Sequence, residues 1–216
     1  MADAYYRRDR PLIQEAVGPL ADRARVLDVG CGAGHLGRAL KERWGARSVT
    51  GLELDAEAAQ EASRHLDHVM QGDVESLTLN FGADEFDLIL FGDLLEHLVD
   101  PWRFLRRATG WLVAGGHVCV SLPNIRQIRV LADLAVRGRW RYRSSGILDR
   151  THLRFFTRGS ACELVRGAGL DLQFCRPVLT GRPRLVSALT MGSFDAFLTH
   201  QWLLLGRKPP IDVRPE

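Results

Sequence analysis

Arg25-Val-Leu-Asp-Val-Gly-Cys-Gly-Ala-Gly34 is the stretch from which the fold of this chain is read. Val26, Leu27 and Val29 are apolar and partly β-branched, and glycine stops the run abruptly, which predicts a short buried strand. Gly30, Gly32 and Gly34 alternate through a tight turn, and Leu36, Ala39 and Leu40 follow at helical spacing. A strand, a glycine turn and a helix N-terminus in that order bring free backbone N–H groups close to a ligand. The spacing is G-x-G-x-G, and Gly37 does not restore the G-x-G-x-x-G dinucleotide pattern. Asp28 stands two residues before the first glycine, where a carboxylate suits a cationic ligand and disfavours a pyrophosphate.

The chain around this turn reads as one domain over residues 1–216, long enough for a substantial core. Its net charge of +3 does not by itself suggest nucleic acid, and none is expected as a partner. The N-terminus lacks the apolar run of a secretory signal, and no stretch of about 18 uncharged apolar residues is present, so a cytoplasmic protein without a transmembrane helix is expected. Cys31, Cys119, Cys162 and Cys175 form no C-x-x-C pair and read as small core residues. Pro11 opens a predicted helix in the segment 5–20, which also carries Tyr5, Tyr6 and Arg10.

Downstream, Ser48–Leu54 reads as a second buried strand ending in Glu53, 19 residues after Gly34. In a doubly wound sheet an acidic residue at that point receives ribose hydroxyls. Val69 and Met70 belong to a third strand, followed by Gly72-Asp73-Val74, and Phe86–Phe91 is the clearest central strand.

Together these stretches resemble the class I S-adenosylmethionine-dependent methyltransferases, with RVLDVGCGAG as their motif I. The resemblance implies an α/β, Rossmann-like three-layer sandwich with a seven-stranded, mostly parallel sheet in the order 3-2-1-4-5-7-6. It implies S-adenosyl-L-methionine as the cofactor, held by Asp28, Gly30, Cys31, Gly32, Gly34, Glu53 and Leu54. Asp73 and Val74 would meet the adenine, and Phe91, Gly92 and Asp93 would complete the site.

The sequence Leu95-Glu-His-Leu98 with Asp100-Pro101 resembles the small-molecule group that includes ubiquinone-pathway O-methyltransferases. The Asn-Pro-Pro-Tyr-type tetrad of amino-group methyltransferases is absent; Phe91-Gly-Asp-Leu94 stands in its place. Asp93, Glu96 and His97 share one face if the turn is helical. Some ubiquinone-pathway relatives hold a divalent metal with a similar set; here hydrogen bonds to the surrounding loops are expected, and no metal. His97 is a second candidate proton acceptor.

Gly146-Ile-Leu-Asp-Arg-Thr-His-Leu-Arg-Phe-Phe-Thr157 resembles a subgroup found with bacterial cell-surface polysaccharide genes, and more distantly the MetW group. It closes an insertion, about 123–157, at the place where such enzymes contact their acceptor. Seven arginines lie between 137 and 158, with Asp149 as the only acidic residue there. Arginine forks bind phosphate or carboxylate bidentately, so Arg150 and Arg154, with Tyr142 and Asn124, are the candidate acceptor contacts. His152 is the candidate base, because an imidazole titrates near neutrality, and Asp149 is expected to orient it. The acceptor is then a small molecule or glycan carrying phosphate or carboxylate, methylated on oxygen. N-methylation and a MetW-like, cofactor-binding partner without methyl transfer remain alternatives. The partly apolar stretch 181–197 either packs as a helix or faces a membrane or partner, and the oligomeric state is open.

Overall fold

The computed structural model describes residues 10–179 and 182–210; Tyr5 and Tyr6 lie outside them. Helix α1 (Pro11–Ala21) leads into β1 (Arg25–Val29), α2 (His35–Trp44), β2 (Ser48–Glu53), α3 (Ala56–Ala62) and β3 (His68–Gln71). Next come β4 (Phe86–Gly92), α4 (Pro101–Trp111), β5 (Leu112–Pro123), α5 (Ile128–Arg137) and α6 (Arg158–Gly167). The described chain closes with β6 (Asp171–Pro177), α7 (Arg182–Leu189), α8 (Asp195–Leu198) and β7 (Gln201–Arg207). The seven strands form one sheet in the expected order β3-β2-β1-β4-β5-β7-β6. β1 pairs in parallel with β2 and β4, while β7 runs antiparallel between β5 and β6.

Central strands read as continuous apolar runs because helices cover both faces. Val26, Leu27 and Val29 of β1 and Leu88, Ile89 and Leu90 of β4 are buried. Leu27 and Ile89 point into the core shared with α4 and α6, and Val26 and Leu88 into the core under α1 and α2. α4 contributes Phe104, Leu105, Ala108 and Trp111 to the first core. Trp102 is 42% exposed, and Phe104 holds the inward position.

The chain passes from β1 outward to β3 and then returns to β4 on the opposite side of β1. Such a reversal leaves a crevice beyond the carboxyl ends of the two central strands. Val29 pairs with Phe91 there, so the glycine turn after β1 faces the Gly92-Asp93 turn after β4.

The insertion after β5 is tied down at both ends. An isolated bridge joins Asn124 to Phe156, and Leu153 and Arg154 both donate backbone N–H bonds to the Glu96 carbonyl at 2.8 and 3.0 Å. Thr157 then starts α6 with a reciprocal cap: its Oγ1 accepts from Ser160 N, and Ser160 Oγ accepts from Thr157 N.

Candidate active site

Three glycines set the shape of the turn after β1. Gly30, Gly32 and Gly34 have φ of 75°, 55° and 79°, the left-handed region that a Cβ disfavours. A Cβ on Gly34 would also lie only 3.0 Å from the Ala62 Cα, so the turn and α3 pack backbone against backbone. Gly30 N and Cys31 N both donate to the Leu52 carbonyl, at 2.8 and 3.0 Å, which ties the turn to the end of β2.

Glu53 locks the other side of that turn. Its Oε2 accepts from Gly32 N at 2.7 Å, and its Oε1 accepts from Leu54 N and Asp55 N at 2.9 and 3.0 Å. The glycine turn and the acid at the end of β2, matched only by spacing in the sequence, are thus in direct contact. Asp73 sits at a turn, where its Oδ1 accepts from Glu75 N at 2.9 Å, and Val74 is buried behind it.

Asp28 is buried on β1, and its Oδ2 has no hydrogen-bond partner among the described residues. Burial, with Glu53 nearby, raises its pKa to about 7, against the opposing pull of Arg10. A buried acid held this way is stabilised by a cationic ligand. Arg10 supplies one such cation. Its Nη1 lies 3.0 Å from Asp93 Oδ2, and a Cβ on Gly92 would run into its guanidinium.

Asp93, in a left-handed conformation with φ of 53°, is gathered by three other elements. Ser121 of β5 donates its hydroxyl to Asp93 Oδ1 at 2.8 Å and accepts from Asp93 N at 3.0 Å. Gln201 of β7 donates to the same carboxylate. The parallel pairing of β5 with β4 sets Ser121 opposite Gly92, and the pairing of β7 with β5 brings in Gln201, which no sequence signal marks. A cleft of about 360 Å³ opens between these residues and the first turn of α1, lined by Arg10, Ile13, Asp93, Ser121 and Gln201.

The expectation that Asp93, Glu96 and His97 share a face is corrected. Leu95–His97 is a single 3₁₀ turn, and Asp93 turns away toward Arg10 and Ser121. Glu96 and His97 instead meet His152. Glu96 is 1% exposed, with both carboxyl oxygens unbonded among the described residues. Its pKa is raised well above the usual range by burial and then by Asp93. His152 Nε2 lies 4.0 Å from Glu96 Oε1, and the two imidazole rings meet edge to face at 4.7 Å. Burial, followed by the facing His152, lowers the His97 pKa. Nitrogen and oxygen atoms of the three residues fall within 4.8 Å of one another, a nest in which a divalent cation fits.

Other expected roles also move. The Asp149 carboxylate does not hydrogen-bond the His152 ring: its Oδ1 accepts from Thr151 N and Oγ1 at 2.8 and 2.7 Å, closing a local turn. His152 Nδ1 faces the Ile147 carbonyl at 3.0 Å, which leaves Nε2 toward Glu96. Asn124, expected at the acceptor, is fully buried and donates Nδ2 to the Ala196 and Thr199 carbonyls at 2.8 and 3.0 Å. It holds the strand end. Arg154 donates to the carbonyls of Leu153 and Val99. Arg150 and Tyr142 are exposed.

Sheet order, glycine turn, acidic strand end and orphaned buried acid define a class I methyltransferase site of the S-adenosylmethionine type. The chain belongs to the Methyltransferase domain family, whose pattern matches residues 2–173. Family and fold together imply S-adenosyl-L-methionine as the cofactor. A ubiquinone biosynthesis O-methyltransferase of Aeromonas salmonicida is 28% identical over 151 residues, 68% of this chain and 62% of the relative. The Nitrosomonas europaea protein of the same name is 34% identical over 117 residues, 52% of this chain and 48% of its own length. The chain thus spans about half to three-fifths of these relatives. An S-adenosylmethionine-dependent methyltransferase of Mesorhizobium loti superposes with a TM-score of 0.66 at 18% identity, over 94% of this chain and 99% of the other. The [4+2]-cyclase SpnF superposes with a TM-score of 0.65 at 20% identity, over 97% and 81%. No helix among the described residues is long and apolar enough to cross a membrane.

Proposed function

We propose that this chain transfers a methyl group from S-adenosyl-L-methionine to a hydroxyl of a small-molecule or glycan acceptor carrying phosphate or carboxylate. The observation that carries the proposal is the pairing of an unsatisfied, buried Asp28 with the Gly30–Gly34 turn, set beside the Glu96–His97–His152 nest. When bound, the cofactor supplies a sulfonium methyl, an electrophile already activated, whose sulfur leaves with the bonding electron pair. The chain then has to align, exclude water and take up a proton.

Glu53 and the glycine turn orient the ribose, and Asp28 answers the positive charge of the methionine end. Arg10 covers that end, exchanging Asp93 for a carboxylate of the ligand. His152 Nε2 takes the acceptor's hydroxyl proton as the new oxygen–carbon bond forms. The charge that develops on the ring faces Glu96, whose acidity strengthens beside an imidazolium. Arg150 and Tyr142, exposed on the insertion, meet the acceptor's anionic group. Oxygen as the acceptor atom is supported by the missing amino-group tetrad and by the names of the curated relatives.

Calorimetric titration with S-adenosylmethionine and S-adenosylhomocysteine, on the native chain and Glu53→Ala, tests the cofactor half. Micromolar binding that weakens in the variant is expected, and a folded native chain that binds neither ligand overturns the proposal. Transfer of labelled methyl to phosphorylated sugars, lost in His152→Gln with cofactor binding intact, tests the acceptor half.

A further inference from the structure

α5 is amphipathic, yet none of its ten residues is buried. Ile128, Leu134 and Val136 are 47%, 46% and 83% exposed. The chain that follows keeps Trp140, Tyr142 and Leu153 exposed as well. Interleaved with these, Arg129, Arg139, Arg141, Arg143 and Arg150 are exposed and make no ion pair among the described residues. The segment 126–158 holds nine arginines against Asp133 and Asp149, while the whole chain has a formal net charge of only +3. Its positive charge is therefore local, and it coincides with unburied apolar side chains.

A second exposed apolar run adjoins the first. Leu189, the last residue of α7, and Met191 and Phe194, in the turn before α8, are 76%, 94% and 53% exposed. α8 is fastened to the root of α5: Arg126 stacks 4.4 Å over the Phe197 ring, and Asn124 bonds the Ala196 carbonyl.

We infer that α5, the arginine-rich loop after it and the Leu189–Phe194 run form a docking face for an anionic lipid surface. Water-facing leucine, valine and tryptophan among unpaired arginines match an element lying in the headgroup plane, with apolar side chains inward and guanidiniums on phosphates. A soluble anion would use the arginines and leave Val136 and Leu134 in water without purpose. The loop's other end is anchored on the Glu96 carbonyl beside the candidate site. Docking therefore brings the cleft to the surface where a lipid-borne acceptor lies. The face shares Tyr142 and Arg150 with the acceptor contacts proposed above, so the test below uses Arg139, Arg141, Arg143 and Val136, to which that proposal gives no role.

The test is co-sedimentation of the full chain with phosphatidylcholine vesicles, with and without about one-third phosphatidylglycerol. Binding is expected to anionic vesicles only and to weaken with salt. Replacing Arg139, Arg141 and Arg143 by glutamine lowers it on the order of a hundredfold, at about fivefold per arginine. Val136→Glu, at an exposed site that folding does not need, abolishes it while calorimetric cofactor binding stays unchanged. Equal binding to neutral vesicles, or none to anionic ones, overturns the inference. Full competition by millimolar inorganic phosphate assigns the arginines to a soluble anion and also overturns it. Dimers that Val136→Glu dissolves, without vesicle binding, assign the face to a second copy. RNA retention that survives Val136→Glu, again without vesicle binding, assigns the arginines to nucleic acid.

Discussion

Arg10 and Asp93, 83 residues apart, meet as an ion pair of 3.0 Å across the mouth of the cleft, each side chain about 15% exposed. The contact fixes the start of α1 over the β4 turn and places a cation near Asp28 and Glu96. Arg10→Gln is expected to cost about 1–3 kcal/mol in urea unfolding, between the values of exposed and fully buried pairs. It also removes the charge that holds the Asp28 pKa down, so that pKa rises further in the variant, as carboxyl-labelled NMR titration would read.

Asp28 makes stability depend on pH in a defined direction. Its folded pKa of about 7 lies above the usual carboxylate value, so the folded state binds the proton more tightly than the unfolded one. The cost of ionising Asp28 is absent below about pH 4, grows as pH rises and is complete above about pH 7. Asp28→Asn is expected to stabilise the unliganded chain by about 2–4 kcal/mol at pH 8, and by almost nothing near pH 4. Thermal unfolding across that range reads the difference.

Glu53 accepts three backbone N–H bonds that no neutral side chain can reproduce. Glu53→Gln places an amide N–H₂ against one of those donors. The expected result is a loss of about 1–3 kcal/mol of stability and a weaker cofactor affinity, by an order of magnitude or more. Differential scanning and titration calorimetry on one preparation separate the two.

His152 and Asp149 are expected to part company under mutation. His152→Gln should lower kcat about 10²–10⁴-fold with KM for the cofactor unchanged. Asp149→Asn should lower it only a few-fold, because that carboxylate bonds Thr151 and not the imidazole. Similar large losses in both variants would restore Asp149 as the orienting group.

Thr157 caps α6 reciprocally with Ser160, and α6 packs on β6 and β7. Thr157→Ala is expected to cost about 1–2 kcal/mol by chemical denaturation, without changing cofactor affinity.

Much of this was legible in the sequence because the governing physics is local. β1, its glycine turn and α2 follow from a buried apolar run, from positive-φ glycines and from helical spacing. Glu53 was found because a strand end in a doubly wound sheet has a fixed address relative to the turn. The sheet order came from resemblance, and the observed pairing matches it. What the sequence left out depends on contacts between distant segments. Ser121 reaches Asp93 because β5 pairs in parallel with β4, and Gln201 reaches it because β7 inserts antiparallel beside β5. The partner of His152 is Glu96, 56 residues earlier, and not Asp149, three residues earlier, because a tight turn spends the near carboxylate on its own backbone. Asn124 looked like an acceptor contact by position, and burial made it a clasp. Local pattern thus determined the elements and the cofactor turn. The tertiary structure decided which acids face which bases, since a carboxylate's role follows from what it is buried against.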